Sequence, residues 1–369
     1  MKKINVGIVG LGFGKEFVGI YQNHPFVDQV AVCTRNADNL RVIGDEFKVP
    51  ESLRYTDYKL MLKNADLDAI HVVTPILEHY EQSLAALQSG KHTACTVPMA
   101  TSIEELKTLV DAKMKSGKIY MMMETAVYTR EFLFAKNLYN SGKLGRLQFL
   151  RGSHMQDMGL EGWPAYWLGF PPMHYGTHAI SPLLRIDDSM TEYVAGHGSG
   201  SISAELAEKY NSPFAVETVT IKRRDSNVTA EATRSLYETV RQYRESFDVY
   251  GSSMSIEWEQ IADEGLCLFE GGESARREIA PDAYEDLPRE ILPYTKREQI
   301  LDKNHVSFIQ GAGHGGSHPH LVNEFVSAIA EERDCALSAE VSANITATGI
   351  LGHQSCLEGG TKLFIPEFK

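Results

Sequence analysis

Ile4-Asn5-Val6-Gly7-Ile8-Val9-Gly10-Leu11-Gly12-Phe13-Gly14 is the stretch on which the fold turns. Its first six residues read as a short buried strand. Three glycines in five positions follow, and then a helix-like run from Glu16 to Asn23. Glycines in such a turn let the backbone bend tightly and come close to a pyrophosphate, which then rests at a helix N-terminus. Gly10, Gly12, Phe13 and Gly14 are therefore the predicted phosphate-side contacts. The spacing departs from G-x-G-x-x-G, because Lys15 stands where the third glycine falls and Gly14 precedes it.

Outward from this turn, strands and helices alternate for the first 125 or so residues. Val27–Cys33, 68–73, His92–Thr96 and 119–123 read as strands, and 78–89 and 102–116 as helices. Ser102-Ile103-Glu104-Glu105 carries a capping signal. Such alternation predicts a doubly wound parallel sheet with helices on both faces. Beyond Thr125 the pattern changes. A helix over Arg130–Asn140 is followed by strand-like runs at 147–152, 191–196, 215–222, 228–235, 246–250 and 255–258. Two late helices are expected at 320–331 and 338–357. The fold class is thus α/β, with a Rossmann-type domain over 1–125 and an α+β domain over 126–369 built on a mostly antiparallel open sheet. Residues 271–315, rich in Gly, Pro and charge, read as a surface excursion.

Composition agrees with two soluble domains. The chain has 369 residues, 43% hydrophobic and 23% charged, with a net charge of −13. That charge argues against nucleic acid or an anionic membrane as partner. No apolar run is long enough for a span. The five scattered cysteines lack CxxC spacing and read as reduced thiols in a cytoplasmic protein.

The cofactor end of the second strand normally carries an Asp or Glu for the adenosine ribose. Here it reads Val32-Cys33-Thr34-Arg35-Asn36. Thr34 can bond a ribose hydroxyl or a phosphate, and Arg35 can stack on adenine or pair with a 2′-phosphate. NAD is the expected cofactor and NADP its alternative. Thr74-Pro75 begins a further loop. His79, four residues on, reads by itself as an exposed first-turn helix residue.

Gly90-Lys91-His92-Thr93-Ala94-Cys95-Thr96-Val97-Pro98-Met99-Ala100 resembles the segment that closes the nucleotide half of Gfo/Idh/MocA sugar dehydrogenases. In that family the tripeptide at 96–98 usually reads Glu-Lys-Pro, and the lysine helps remove a hydroxyl proton as hydride leaves for the nicotinamide. Here it is Thr96-Val97-Pro98, and valine cannot move a proton. Either catalysis is lost or other residues supply it. The resemblance also places Thr74, Pro75, His79, Thr96, Val97 and Pro98 along the cofactor.

Four further patches are similar to one branch, the NAD-dependent α-N-acetylgalactosaminidases: Val97 itself, Glu124-x-x-x-Tyr128-x-Arg130-Glu131, Tyr175-x-Thr177-His178, and Gly313-His314-Gly315-Gly316. That branch has Glu-Val-Pro where this chain has Thr96-Val97-Pro98, so an N-acetylhexosamine is no better supported than another glycoside. The resemblance implies a redox-neutral cycle. NAD⁺ takes hydride from C3, the ketone acidifies the C2 proton, the C1 substituent leaves, water adds, and the hydride returns. Tyr128 and Tyr175 are the implied proton carriers near C2 or C3. His178 is the acid or base at the leaving group, with an unperturbed pKa of about 6.5. The family has an Asp where this chain has His174; spaced i, i+4 with His178, it would share a helical face with it and orient it or bind a hydroxyl. Trp163, Tyr166 and Trp167 offer a sugar-stacking surface, and His314 and His318 loop contacts to substrate. No paired carboxylates are required.

Two other readings stand beside this one. The first is an NAD(P)-dependent sugar dehydrogenase using Tyr or His in place of lysine. The second is an inactive nucleotide-binding sensor. A metal centre on His314, His318 and His320 with His174 and His178 has no Cys or Glu to complete it, so no metal is expected. The expected partner is a small sugar or glycoside, and the expected assembly a homodimer or homotetramer.

Overall fold

The computed structural model describes residues 3–160, 163–239, 243–261, 264–271, 274–284, 286–295 and 313–369. Residues 296–312, within the expected surface excursion, lie outside that set.

The first half is a six-stranded sheet of β1 (Ile4–Val9), β2 (Val27–Cys33), β3 (Arg54–Tyr55), β4 (Ala69–Val72), β5 (His92–Thr96) and β6 (Tyr120–Met123). The order is β3-β2-β1-β4-β5-β6 and every pair is parallel. Helices α1 (Lys15–Asn23), α2 (Ala37–Glu46), α3 (Tyr58–Leu62), α4 (His79–Gln88) and α5 (Ile103–Ser116) make the crossovers. A strand covered on both faces must be apolar throughout, and β4 and β6 are buried at every position. Strand order reverses between β1 and β4. In an open α/β sheet the ligand crevice lies at that switch, outside the strands' carboxyl ends. Ser102 caps α5 with Glu105 reaching back, as the capping signal predicts.

The second half holds α6 (Arg130–Asn140), β7 (Leu147–Met155), α7 (Thr177–Arg185), β8 (Thr191–Ser199), α8 (Ala204–Tyr210), β9 (Val216–Arg223), β10 (Thr229–Ser235), β11 (Arg244–Gly251), β12 (Met254–Glu257), β13 (Leu266–Glu270), β14 (Ser274–Glu278), α9 (Gly313–Glu331), α10 (Ala339–Leu357) and β15 (Leu363–Phe364). The sheet order is β14-β13-β12-β11-β7-β10-β9-β8-β15. All its pairs are antiparallel except β7 with β10. β14 falls inside the expected excursion, so that stretch is in part an edge strand. Its charged sequence, Ser-Ala-Arg-Arg-Glu, is typical of an edge left open to water.

Register across β10, β7 and β11 aligns Arg234, His154 and Glu245 in one row. The same register puts Gly152 beneath α7. A Cβ there would lie 2.1 Å from the Ala179 carbonyl, so only glycine lets this helix sit so close. α10 reaches both halves. Its Asn344 bonds the Thr191 backbone at 2.8 and 3.1 Å. Its Glu340 pairs with Lys113 of α5 at 3.1 Å. One continuous apolar cluster runs from Ile4 to Ile365 through both sheets.

Candidate active site

A cleft of about 1070 Å³ opens at the strand switch point and runs from the glycine turn to α7. Gly10 has φ +91°, and a Cβ on it would meet the Val73 carbonyl at 2.4 Å. A Cβ on Gly14 would strike the Gly10 carbonyl at 2.3 Å. Gly12 faces open space instead, with nothing within 4 Å of a built Cβ. The turn is therefore closed on itself and open toward the cleft. That shape fits a pyrophosphate at the start of α1. Gly10, Gly12, Phe13, Thr34, Arg35, Thr74, Pro75, His79, Thr96 and Val97 all line the cleft, as the sequence leads one to expect. Gly14, which closes the turn against the Gly10 carbonyl, and Pro98 do not. The Pro98 carbonyl instead accepts from His79 Nδ1 at 2.8 Å.

His79 is buried, contrary to the exposed position expected of it. Its Nε2 bonds the Thr74 carbonyl at 2.9 Å. A ring with a carbonyl on each nitrogen must donate from both, which requires the imidazolium. Burial pushes its pKa down, but the Cys95 sulfur and the two carbonyl acceptors outweigh this and raise it to about 8.

At the inner end of the cleft stands a relay. Glu124, fully buried after β6, lies 2.5 Å from His178 Nδ1. His178 Nε2 lies 3.3 Å from the Tyr175 hydroxyl. Ala126 N–H and Ser181 Oγ hold the carboxylate further, at 3.0 and 3.3 Å. Burial opposes charge on both partners. The ion pair prevails, lowering Glu124 and raising His178, with Glu245 adding to the latter. His178 thus stands as an imidazolium against a carboxylate. Arg234, fully buried, sits 5.1 Å from the centre of the Tyr175 ring and donates to the Tyr175 carbonyl at 2.9 Å. Burial holds the Tyr175 phenol well above its ordinary range, and Arg234 offsets only part of that.

Aromatic rings form one wall. Trp167 stacks on Tyr166 at 5.1 Å and meets Tyr175 edge-on at 4.7 Å. Trp163 shares the lining. The Tyr237 hydroxyl fixes the segment by donating to the Trp167 and Phe170 carbonyls. His314, with φ 44°, faces the cleft from the start of α9. Its Nδ1 lies 3.0 Å from His318 Nε2, and His318 Nδ1 lies 3.4 Å from Glu16. Burial pushes His314 down to about 4, so the ring is neutral.

Three more expected site residues lie elsewhere. Tyr128 points away from the cleft and stacks on His320 at 6.4 Å, because the turn Thr125–Val127 carries it to the α9 side. His174 lies behind the site against His353 and Phe170, and burial takes it to about 3. It sits in the 3-10 turn Pro172–Tyr175, separate from α7, so it shares no helical face with His178. His318 stands behind His314 and does not line the cleft.

Glu124, His154 and Arg234 were not singled out from the sequence. Glu124 was visible only as the first letter of the Glu-x-x-x-Tyr motif; strand register alone assembles the other two. Among the described residues, one group has ligand atoms close enough for a metal, within 4.8 Å of one another: His154, His178 and Glu245. Both His178 nitrogens are already engaged, by Glu124 and Tyr175.

The fold is a Rossmann-type parallel half joined to an α+β half, with a cleft whose shape fits a dinucleotide. Residues 4–124 match the model of the Gfo/Idh/MocA family, described as an oxidoreductase family with an NAD-binding Rossmann fold. Curated relatives include a "Glycosyl hydrolase family 109 protein 1" of Phocaeicola vulgatus, 28% identical over 228 residues. That match covers 56% of this chain and 48% of the relative. A "Glycosyl hydrolase family 109 protein" of Porphyromonas gingivalis is 26% identical over 204 residues, covering 51% and 43%. The chain thus spans under half the length of these relatives. A solved levoglucosan dehydrogenase, in complex with NADH and L-sorbose, superposes with a TM-score of 0.81 at 18% identity, covering all of both chains. That likeness concerns the fold. No helix among the described residues is long and apolar enough to cross a membrane.

Proposed function

We propose that the chain is an NAD-dependent enzyme acting on a sugar or glycoside. In this reading C3 is oxidised for the length of one turnover, the C1 substituent is eliminated, water adds, and no net redox change remains. The observation that carries it is the Glu124–His178–Tyr175 relay at the inner end of the dinucleotide cleft, near Val97.

NAD, when bound, supplies the two-electron acceptor and donor. The chain supplies the rest. Gly10, Gly12, Phe13, Thr34, Thr74 and Thr96 shape its seat. Val97 offers no proton acceptor, and Tyr175 replaces it. Tyr175 acts through its phenolate form, which the His178 Nε2–H and the Arg234 charge stabilise; it takes the sugar hydroxyl proton as the hydride leaves and becomes the neutral phenol. Glu124 keeps His178 charged and oriented. On the other wall, Glu16 accepts from His318 Nδ1–H, which leaves His318 Nε2 to accept from His314 Nδ1–H. His314 Nε2 then faces the cleft as a base for the C2 proton. The aromatic wall excludes water and offers a face for the sugar ring.

The test is a panel of nitrophenyl glycosides incubated with the protein and NAD⁺, following phenolate and nicotinamide absorbance together. Phenolate release without lasting NADH is the expected result. NADH in proportion to sugar would instead make it a sugar dehydrogenase, the activity named for the structural neighbour. Tight NAD binding with no turnover of any sugar would make it a sensor.

A further inference from the structure

The end of β2 lacks the carboxylate that usually accepts the adenosine ribose diol, and Arg35 stands beside the gap. An unengaged arginine there would fork a 2′-phosphate. Arg35 is engaged. Its Nη2 lies 3.0 Å from Glu78 Oε1. Glu78 Oε2 accepts from Gln82 Nε2 at 2.7 Å, and Gln82 Oε1 accepts from Thr74 Oγ1 at 3.0 Å. All four residues line the cleft, so the chain of contacts runs along its mouth from the β4 side to the β2 side. The carboxylate is the fixed member of the ion pair. Its side chain is 32% exposed, against 83% for Arg35. A pair this open adds little to folding. Its effect falls on the charge that the mouth admits. Asp57, whose side chain caps α3 through Lys59 N–H at 2.7 Å, adds a second carboxylate there, and Lys59 is the opposing cation.

We propose that Glu78 sets the choice of cofactor: it occupies Arg35 and places a carboxylate where a 2′-phosphate would crowd it, confining the cleft to NAD. This rests on the dinucleotide reading of the cleft and is independent of the sugar chemistry. Glu78 thereby takes over, from the segment after β4, the discriminating part that an acid at the end of β2 plays elsewhere.

Calorimetric titration with NAD⁺ and NADP⁺, without sugar, tests it. The unmodified protein should prefer NAD⁺ by roughly tenfold or more, since like charges brought together are strongly disfavoured. Glu78→Gln should cut that preference by about tenfold through tighter NADP⁺ binding. Arg35→Ala added to Glu78→Gln should remove the gain. Arg35→Ala alone should leave the ratio of the two affinities unchanged, because the guanidinium is already held away from the 2′-phosphate. Equal affinities in the unmodified protein, an unchanged ratio in Glu78→Gln, or a ratio moved further towards NAD⁺ in Arg35→Ala would each overturn the proposal. Failure of the unmodified protein to bind either dinucleotide would sink the cleft reading as well, so the two failures are distinguishable.

Discussion

At the scale of single residues, the proposed cycle needs a proton carrier that Val97 cannot be, and it assigns that part to Tyr175, backed by His178, Glu124 and Arg234. Glu124→Gln keeps the shape but withdraws the charge that holds His178 as an imidazolium. Turnover should fall on the order of 10²–10⁴-fold, with the protein still folded, and Tyr175→Phe should do the same. Tyr128→Phe should change turnover little, since its ring faces His320. Steady-state rates on whichever glycoside the panel identifies decide this, and a large loss in Tyr128→Phe with a small one in Tyr175→Phe would reverse the assignment.

His79 makes a second prediction of this scale. Its folded pKa, about 8, lies above the ordinary 6.5. Its contribution is therefore complete below about pH 6.5 and is lost as pH rises through about 8, an effect of about 2 kcal/mol. Thermal unfolding from about pH 6 to about pH 9 should show the unmodified protein losing more stability than His79→Gln. Parallel curves would show that the ring is not a buried cation.

At the scale of elements, the site depends on how closely α7 lies on the sheet. Gly152→Ala should lift that helix, costing roughly 1–3 kcal/mol and disturbing the Tyr175–His178 pair. Denaturant unfolding beside turnover measures both, and unchanged values would mean the helix has slack. The longer strands of the first half were legible, because strands buried on both faces read as continuous apolar runs: Ile4–Val9, Val27–Cys33 and His92–Thr96 have their expected bounds, whereas the short, half-exposed elements α2, β3 and α3 went unread. β13 and β14 escaped because an edge hairpin rich in Glu and Arg carries no such signal. The same logic explains the site. The glycine turn and His178 sit in local motifs. Arg234, His154 and Glu245 lie on three strands and meet only through register, which spacing in sequence does not encode. Tyr128 misled because the turn that carries it out of the cleft is three residues long and has no distinctive composition.

At the scale of the molecule, the nine-stranded sheet leaves its outer face bare among the described residues. Phe149 stacks on Tyr250, Arg151 pairs with Glu231, and Thr218 bonds Thr233 on that side. Light scattering after size exclusion should give a dimer or tetramer, and a monomer across micromolar concentrations would leave the face without a partner copy. α10 has a different consequence. Anchored to α5 at one end and to β8 along its length, it works like a rivet through both jaws of a clamp. Jaws so fixed trade their passenger slowly. Purified from cells without added dinucleotide, the protein should emerge with its nicotinamide already aboard.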